Sequence, residues 1–250
     1  MTHNSPNTAN IPKASAKVPY GHECRSLWTI PDPELRCLVG YDAKSLEMRM
    51  FAHYLNNPET ARLYIEGDPH QVNADMLGID RDPVKNVFYA FLYGAADPKL
   101  GWTGNTSLVS KKEQRAFGAS IREQLIEKTP GLQELVRLVQ AEGVWIECID
   151  GGFVQCEAEH ARINYKLQSA GAIVMKQASI FVRQRIIERG LDALKVGDIH
   201  DEGQLDCAKR DAQEVGELCV QAIRDAGEEL NFRVPLDGDF KIGRNWAETH

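Results

Sequence analysis

Two strand-like segments of the 250-residue chain end in acidic residues. Residues 35–41 form a short apolar run typical of a buried strand, and Asp42 follows it directly. Residues 194–207 have the pattern of a hairpin, with His200-Asp201-Glu202 at its tip. Strand ends and hairpin tips hold the backbone rigid while they expose a side chain. These two segments therefore predict a sheet that presents carboxylates at its edge, although either acid alone would also suit an ordinary turn.

A helix rich in cations and tyrosines is predicted between the two acidic segments. Asp82-Pro83 is typical of a helix start, which predicts a helix from about residue 83 to residue 93 that ends near Gly94. Cations near a helix N-terminus can hold a triphosphate, and tyrosines further along can stack on a base or sugar. An amphipathic helix with buried tyrosines would show the same spacing. The candidate binding residues, which share one broad face or lie just before it, are Arg81, Lys85, Tyr89 and Tyr93.

The rest of the chain mixes helical and strand-like patterns. Residues 1–33 lack periodicity and are expected to be extended, while a helix should begin at Asp68-Pro69. Further helices are expected at 46–55, 110–128, 130–141, 164–188 and about 208–226. Strands are expected at 143–155, around an Asp150-Gly151-Gly152 turn, and near Phe232. The sequence therefore predicts an α+β fold.

Composition restricts the class of protein. No apolar run approaches the roughly 18 residues of a membrane span, and the N-terminus lacks a signal-peptide core, so no membrane association is expected. The six cysteines have no C-x-x-C spacing and are expected to be reduced thiols in a cytoplasmic protein. The net charge is −7, but residues 81–122 carry seven bases against three acids. A basic middle and an acidic tail suit a protein that grips phosphates in one place and metal in another.

These residue types suit nucleotidyl transfer. Two Mg²⁺ ions about 4 Å apart can stabilise the attacking and the leaving oxygen of an in-line displacement. Mg²⁺ prefers carboxylate oxygen and keeps several waters, so one or two aspartates suffice when the phosphates of the substrate complete the shell. Asp42 and Asp201 are the candidate ligands.

The sequence resembles the palm and fingers of family A (pol I-like) DNA polymerases of the short-tailed-phage type. The resemblance covers essentially the whole chain, in family order, and its strongest segments are residues 42–49, 81–94 and 200–202. It extends to Ser5-Pro6-Asn7 in the lead-in, Gly67-Asp68-Pro69-His70, residues 164–172 and the C-terminal residues 243–250. It implies an antiparallel palm sheet with helices plus a mostly helical fingers subdomain. The palm would comprise residues 1–43 and 161–250, and the fingers 44–160.

The resemblance also implies a role for each matched residue. Asp42 and Asp201 would bind two Mg²⁺ ions with help from the Ala43 carbonyl, and Lys85 would also protonate the leaving pyrophosphate. Glu47 would exclude a ribose 2′-hydroxyl. The other residues that would contact the dNTP are His70, Arg81, Tyr89 and Tyr93. The residues that would contact the DNA primer-template are Arg25, Asn164, Gln168 and His200. Glu202 receives no assigned role and could be a solvated turn acid.

Two departures from the family pattern carry further expectations. Gly203 stands where a branched apolar residue is expected, which predicts looser packing behind the acidic tip. The sequence starts within what resembles an interior motif, so we expect a separate N-terminal polypeptide to supply a thumb and an exonuclease. A single-subunit RNA polymerase is an alternative, which a bulky Glu47 disfavours. A non-catalytic nucleic-acid-binding remnant is a second alternative.

Overall fold

The computed structural model describes residues 10–14 and 18–250. Its helices are α1 (Gly21–Ser26), α2 (Leu46–Leu55), α3 (Pro58–Glu66), α4 (Pro69–Leu77), α5 (Arg81–Leu92), α6 (Asp97–Gly104), α7 (Lys111–Lys128), α8 (Leu132–Ala141), α9 (Arg162–Arg189), α10 (Ala212–Glu229) and α11 (Trp246–Thr249). Its strands are β1 (Arg36–Ala43), β2 (Trp145–Glu147), β3 (Phe153–Gln155), β4 (Ala193–Ile199), β5 (Glu202–Ala208) and β6 (Gly238–Gly243). The predicted α+β class is confirmed.

The chain divides into two compact units. The sheet unit comprises the described residues up to Leu46 together with Ala172–His250, and the helical unit is the continuous stretch Glu47–Gly171. The four-stranded sheet of the first unit has the order β4-β5-β1-β6 and antiparallel pairing throughout. The second unit holds a small hairpin, β2–β3, among its helices. No helix among the described residues has the length and apolar character needed to cross a bilayer.

Helices cover both faces of the four-stranded sheet. Residues directly opposite each other on antiparallel strands point to the same face. On one face, Tyr41 lies opposite Phe240, and a Cβ on Gly216 of α10 would come within 2.1 Å of the Phe240 ring. On the other face, a Cβ on Gly40 would lie 2.7 Å from Cβ of Thr249 in α11. The sheet is therefore packed between α10 and α11, and close approach on both sides depends on glycines.

The space behind the acidic hairpin is filled by Tyr41. This side chain is 1% exposed, and Gly203 lies directly opposite it on β5. A Cβ on Gly203 would lie 2.3 Å from Cε1 and Cζ of the tyrosine ring. The expectation of loose packing at Gly203 is therefore wrong, because the aromatic ring occupies the volume that a branched side chain would fill.

The helical unit is built around aromatic and glycine contacts. The rings of Phe51, Tyr64 and Phe88 form a buried cluster with centroids 5.4–5.7 Å apart. Helices α6 and α7 cross closely, since a Cβ on Gly101 would lie 1.9 Å from the Gln114 carbonyl oxygen and one on Gly118 would lie 1.8 Å from that of Asp97. Burial of apolar rings and direct backbone contact thus stabilise this unit.

Several predicted boundaries differ from the observed ones. Helix α5 begins at Arg81 rather than at residue 83, because a proline in the first turn lacks only an N–H that has no partner within the helix. The strand expected near Phe232 is wrong. The N–H of Phe232 donates to the Gly227 carbonyl at 2.8 Å, and Asn231 has φ 54°. Phe232 therefore belongs to the C-terminal cap of α10.

The two ends of the chain supply the other differences. Residues 208–211 end β5 and form a turn, so the last long helix begins at Ala212 rather than at residue 208. Within the stretch expected to be extended, α1 forms a helix of only six residues, which is too short to show a periodic apolar pattern. The Ser5-Pro6-Asn7 motif lies outside the described residues.

Candidate active site

Pairing of β1 with β5 brings the two predicted metal ligands together. Asp42 lies at the end of β1 opposite Glu202, and Asp201 is in the two-residue turn between β4 and β5. The N–H of Ala43 donates to the carbonyl oxygen of Asp201 at 3.0 Å. This backbone hydrogen bond therefore holds the two acidic positions next to each other. The hairpin pattern in the sequence does not predict this contact.

The Asp201 carboxylate lies close enough to Asp42 to affect its ionisation. Desolvation by the surrounding protein raises the pKa of Asp42 to about 6, and the negative charges of Asp201 and Glu202 add to the rise, even though the residue still reaches solvent. Partial burial also raises the pKa of Asp201. Among the described residues, neither carboxylate forms a salt bridge. Because the net effect of the surroundings is to raise the pKa of both groups, a cation bound between them would stabilise their charged forms.

The donor set fits a hard divalent cation. Two aspartate carboxylates and a nearby backbone carbonyl, that of Ala43, provide only oxygen ligands, which Mg²⁺ prefers. The described part of the chain contains no group of three or more His, Cys, Asp or Glu side chains arranged to hold a metal. A two-carboxylate site of this kind leaves the remaining positions to water or to phosphate oxygens of a substrate.

The hairpin tip itself is exposed. His200 has φ 55° and its side chain faces solvent. This left-handed conformation at the first turn residue turns the chain sharply, so that Asp201 completes the turn just before β5 begins at Glu202. The predicted contact of His200 with DNA stays a prediction.

Helix α5 presents its polar residues on the side opposite its buried face. Val84, Val87 and Phe88 are fully buried, whereas Arg81 and Lys85 are exposed. Arg81 donates from Nε to the carboxylate of Asp68 at 3.0 Å, and this carboxylate also caps α4. The salt bridge therefore joins the N-termini of α4 and α5, and it places the cation at the start of the helix as predicted.

Three rings line the same side of α4 and α5. The His70 and Tyr89 ring centroids are 6.0 Å apart, and Tyr89 stacks on Tyr93 at 6.3 Å with an angle of 27° between the planes. Burial and the nearby Lys85 lower the pKa of His70, which favours a neutral imidazole. Within the described part of the chain, Nδ1 of His70 is buried and has no hydrogen-bond partner. Buried polar atoms usually have such a partner, so the lack of one here marks His70 as a candidate for a ligand contact.

Glu47 joins Tyr93, at the C-terminal end of α5, to Gln168 of α9. Its Oε1 accepts a hydrogen bond from the Tyr93 hydroxyl at 2.5 Å and another from Nε2 of Gln168 at 2.7 Å. Asn164 lies one helical turn before Gln168 on α9. The structure thus brings Glu47, Tyr93 and Gln168 together within the helical unit, although the sequence predicted separate roles for them.

Two predicted features around the acidic tip turn out to be internal. Arg25, predicted to contact DNA, is 5% exposed and donates from Nε to the Pro12 carbonyl at 2.8 Å. Glu202 is 3% exposed, so the alternative of a solvated turn acid is wrong. Sequence reasoning did not identify Trp246 and His250 as its partners. The signal that could have drawn attention to Glu202 is the alternation of three polar residues, Glu202, Gln204 and Asp206, with apolar or small residues along β5.

Comparisons with known proteins agree with this arrangement. The family model for DNA polymerase family A matches residues 149–248. The DNA-directed DNA polymerases of Enterobacteria phage T3 and Escherichia phage T7 are each 33% identical over all of this chain and 39% of their own length. The chain therefore spans about two-fifths of the length of these curated relatives.

A solved structure shares the fold. The POL domain of Pol1 from M. smegmatis, in complex with DNA primer-template and dNTP, superimposes with a TM-score of 0.81 at 22% identity. The match covers 99% of this chain and 46% of that one. The family model over residues 149–248 and the two phage relatives thus agree that this chain is similar to DNA polymerase family A, and the solved structure shows the same fold.

Proposed function

We propose that this chain carries the catalytic part of a DNA-directed DNA polymerase, which adds a deoxynucleotide to a primer 3′-hydroxyl as the template directs. The observation that carries the proposal is the pair of carboxylates, Asp42 and Asp201, which have no salt bridge among the described residues and are held together by the backbone of β1 and the β4–β5 turn. The names of the T3 and T7 relatives and the primer-template and dNTP of the solved POL domain support it.

The sheet unit would supply the metal site. Two Mg²⁺ ions held there would stabilise charge on the attacking hydroxyl and on the leaving pyrophosphate. The residues that would hold them are the carboxylates of Asp42 and Asp201 with the Ala43 carbonyl. Because β1 and β5 are central strands of the sheet, the two carboxylates need little reorganisation when substrate arrives.

The helical unit would bind the incoming nucleotide. Arg81 and Lys85 at the start of α5 would hold the triphosphate together with His70, whose partnerless Nδ1 can accept or donate a hydrogen bond. The exposed Lys85 would also donate a proton to pyrophosphate as it leaves. Tyr89 would lie over the sugar, and Tyr93 beside the new base pair.

The remaining assignments concern DNA and domain organisation. Asn164, Gln168 and His200 would contact the primer-template, whereas Arg25 does not belong to this set because its side chain is only 5% exposed. We assign residues 1–43 and 161–250 to the palm and 44–160 to the fingers. We further propose that a second polypeptide supplies a thumb and an exonuclease. The location of the protein would be cytoplasmic.

Single-turnover primer extension tests the metal site. Asp42→Asn and Asp201→Asn should each lower the rate on the order of a thousandfold, because a lost ligand charge removes several kcal/mol of transition-state stabilisation. Primer-template affinity, measured by fluorescence anisotropy, should be unchanged. Asp239→Asn is a matched control, since Asp239 lies opposite Asp42 on β6 but pairs with Lys44. Near-normal rates in both aspartate variants would refute the proposal.

A further inference from the structure

The small β2–β3 hairpin of the helical unit has one buried and one exposed face. Side chains alternate between the two faces of a strand, and residues directly opposite each other share a face. Ile146 is fully buried and lies opposite Val154, so this pair faces the interior of the unit. The other face carries exposed side chains only, and we call this set the outer hairpin face: Trp145, Glu147, Phe153 and Gln155.

Two aromatic rings on the outer hairpin face are open to solvent. Trp145 is 55% exposed and Phe153 is 65% exposed. Trp145 lies opposite Gln155 and Phe153 opposite Glu147, so the two aromatic residues are diagonal neighbours, within reach of each other for long side chains. A single exposed apolar side chain is ordinary, whereas two aromatic rings on one face of a short hairpin are typical of a surface that another protein covers.

The hairpin presents these rings on a fixed backbone. The N–H of Cys148 donates to the Gly152 carbonyl at 2.7 Å and closes the turn. Lys166 of α9, which is 9% exposed, donates to the Glu147 carbonyl at 2.7 Å and to the Glu142 carboxylate at 2.8 Å. This buried cation therefore anchors β2 to the helix behind it. A partner that binds such a surface loses little free energy in ordering it.

The charge around the hairpin is strongly negative. Residues 138–161 include five acids and no lysine or arginine, whereas residues 81–122 of the same unit carry an excess of bases. Four of the five acids are exposed, and none of these four forms a salt bridge within the described part of the chain: Glu147, Asp150, Glu157 and Glu159. Negative charge of this kind repels the phosphates of nucleic acid and attracts lysine and arginine side chains.

We propose that the outer hairpin face is a docking surface for a segment of another protein, which carries lysine or arginine side chains beside an apolar residue. The apolar residue would pack on Trp145 and Phe153, and the basic side chains would pair with the surrounding acids. The rings would supply most of the affinity, because exposed ion pairs contribute little by themselves, and the acids would select a basic partner. The inference goes beyond the proposed function, since none of these residues is assigned to metal, nucleotide or DNA.

Binding of labelled peptides to the full chain tests this surface. The main probe is a peptide of alternating lysine and leucine, and a peptide of alternating glutamate and leucine has the same apolar content with the opposite charge. A single-stranded DNA oligonucleotide is the third probe. Fluorescence anisotropy measures each affinity at low salt, and thermal unfolding shows the temperature range in which each variant is folded.

Two double variants of the hairpin remove the rings and the charges separately. One combines Trp145→Ser with Phe153→Ser, and the other combines Glu147→Gln with Glu157→Gln, which keeps the size of both side chains. Trp102→Ser is the matched control for the rings, because Trp102 lies in the same unit and is 44% exposed. The control for the charges combines substitutions to glutamine at two exposed acids of α7, Glu123 and Glu127.

The lysine–leucine peptide should bind the wild-type chain and lose affinity only in the hairpin variants. Removal of the two rings should weaken binding at least about tenfold, since buried aromatic side chains dominate the affinity of protein interfaces. Removal of the two charges should weaken it about fivefold at low salt, and added salt should then have less effect than in the wild type. Both control variants should bind the peptide like the wild type. Primer extension should be unchanged in the hairpin variants.

Several results would overturn the proposal. Failure of the lysine–leucine peptide to bind, or equal affinity in the wild type and in either hairpin variant, would show that this face is not a docking surface of the stated chemistry. Binding of the glutamate–leucine peptide as tightly as the lysine–leucine peptide would exclude a basic partner. An affinity for the oligonucleotide that falls in the hairpin variants, or a loss of primer extension in them, would instead assign the face to DNA.

Discussion

At the scale of single residues, Glu47 offers the sharpest test of substrate choice. Its carboxylate is held by Tyr93 and Gln168, so it is fixed rather than free to swing aside. We expect Glu47→Ala to raise ribonucleotide incorporation at least about tenfold, since loss of one fixed excluding group is worth about 1–3 kcal/mol of discrimination. Competition between ribonucleotide and deoxynucleotide in primer extension measures this ratio.

A control separates the volume of Glu47 from its hydrogen bonds. Tyr93→Phe removes the hydroxyl donor to Glu47 but keeps the carboxylate and its contact with Gln168. It should change the ribonucleotide ratio less than Glu47→Ala does. Equal ratios in Glu47→Ala and the wild type would contradict the assignment of Glu47 to sugar selection. A chain that prefers ribonucleotides before any substitution would instead favour an RNA polymerase.

The ring of Tyr41 limits the size of the side chain that position 203 can hold. A Cβ on Gly203 would overlap the tyrosine ring, so Gly203→Ala should lower the free energy of unfolding by about 1–3 kcal/mol. In the Tyr41→Leu protein the smaller side chain leaves more room for the added methyl group, so Gly203→Ala should destabilise that protein less. The destabilisation of the double variant should therefore fall below the sum of the single effects.

Chemical denaturation of the four proteins measures this coupling. Gly197→Ala is the control, because a Cβ at that glycine of β4 would have its nearest neighbours at 3.3 Å. It should cost clearly less than Gly203→Ala. Additive effects of Tyr41→Leu and Gly203→Ala would show that the ring is not what excludes a side chain there.

At the scale of elements, the close crossing of α6 and α7 should reverse the usual stabilising effect of replacing a helical glycine by alanine. Replacing glycine by alanine inside a helix usually stabilises it by about 1 kcal/mol. At Gly118 the added Cβ would lie 1.8 Å from the Asp97 carbonyl oxygen, so we expect Gly118→Ala to destabilise the protein by about 1–3 kcal/mol. Thermal unfolding measures the effect, and Ser120→Ala on the exposed side of α7 is the control. A stabilised Gly118→Ala protein would refute the close crossing.

The elements that sequence patterns predicted well are those with strong local signals. The helix at Leu46–Leu55 has the predicted bounds, and Asp68-Pro69 begins α4 because the Asp68 carboxylate accepts from the N–H groups of His70 and Gln71. Gly94, with φ 71°, ends α5 as expected. These features depend on a few neighbouring residues, which a single sequence displays directly.

What the sequence could not predict depends on distant contacts. The pairing of Asp42 with the Asp201 turn joins residues about 160 positions apart, and no local pattern records it. No local pattern records the burial of Glu202 either, because Trp246 and His250, which cover it, lie more than 40 residues further along the chain. The candidate ligands could be named from residue types, but their mutual positions and their internal support could not.

At the scale of the whole molecule, coverage of the relatives carries a prediction. The chain matches 39% of the length of the T3 and T7 polymerases. We expect it to bind primer-template weakly when alone, because fewer phosphate contacts release fewer counterions. Addition of a polypeptide that supplies the thumb and the exonuclease should increase extension at least about tenfold at 100 mM salt. Primer extension titrated with this partner measures the gain, and efficient processive synthesis by the chain alone would contradict it.

We expect the partner polypeptide to contact the chain near residues 1–28, and a substitution in this part can test that contact. Tyr20 and Leu27 in the N-terminal part are 75% and 81% exposed, as apolar side chains at an interface would be before assembly. Leu27→Asp should therefore abolish stimulation by the partner. Leu194→Asp, at a residue of β4 that is 67% exposed, is the control and should be stimulated normally. Equal stimulation of the two variants would exclude this surface.

The strand order also determines when the sheet can form during synthesis. β1 leaves the ribosome long before its neighbours, since β5 begins at Glu202 and β6 at Gly238. Until then its backbone groups and the apolar side chains beside Val39 have no sheet partners, whereas Glu47–Gly171 is already complete. The helical unit can therefore be native while the nascent sheet is still one unpaired strand. A ribosome stalled before residue 202 would carry Asp42 without any partner for its strand, and the carboxylate pair assembles only when nearly the whole chain has emerged.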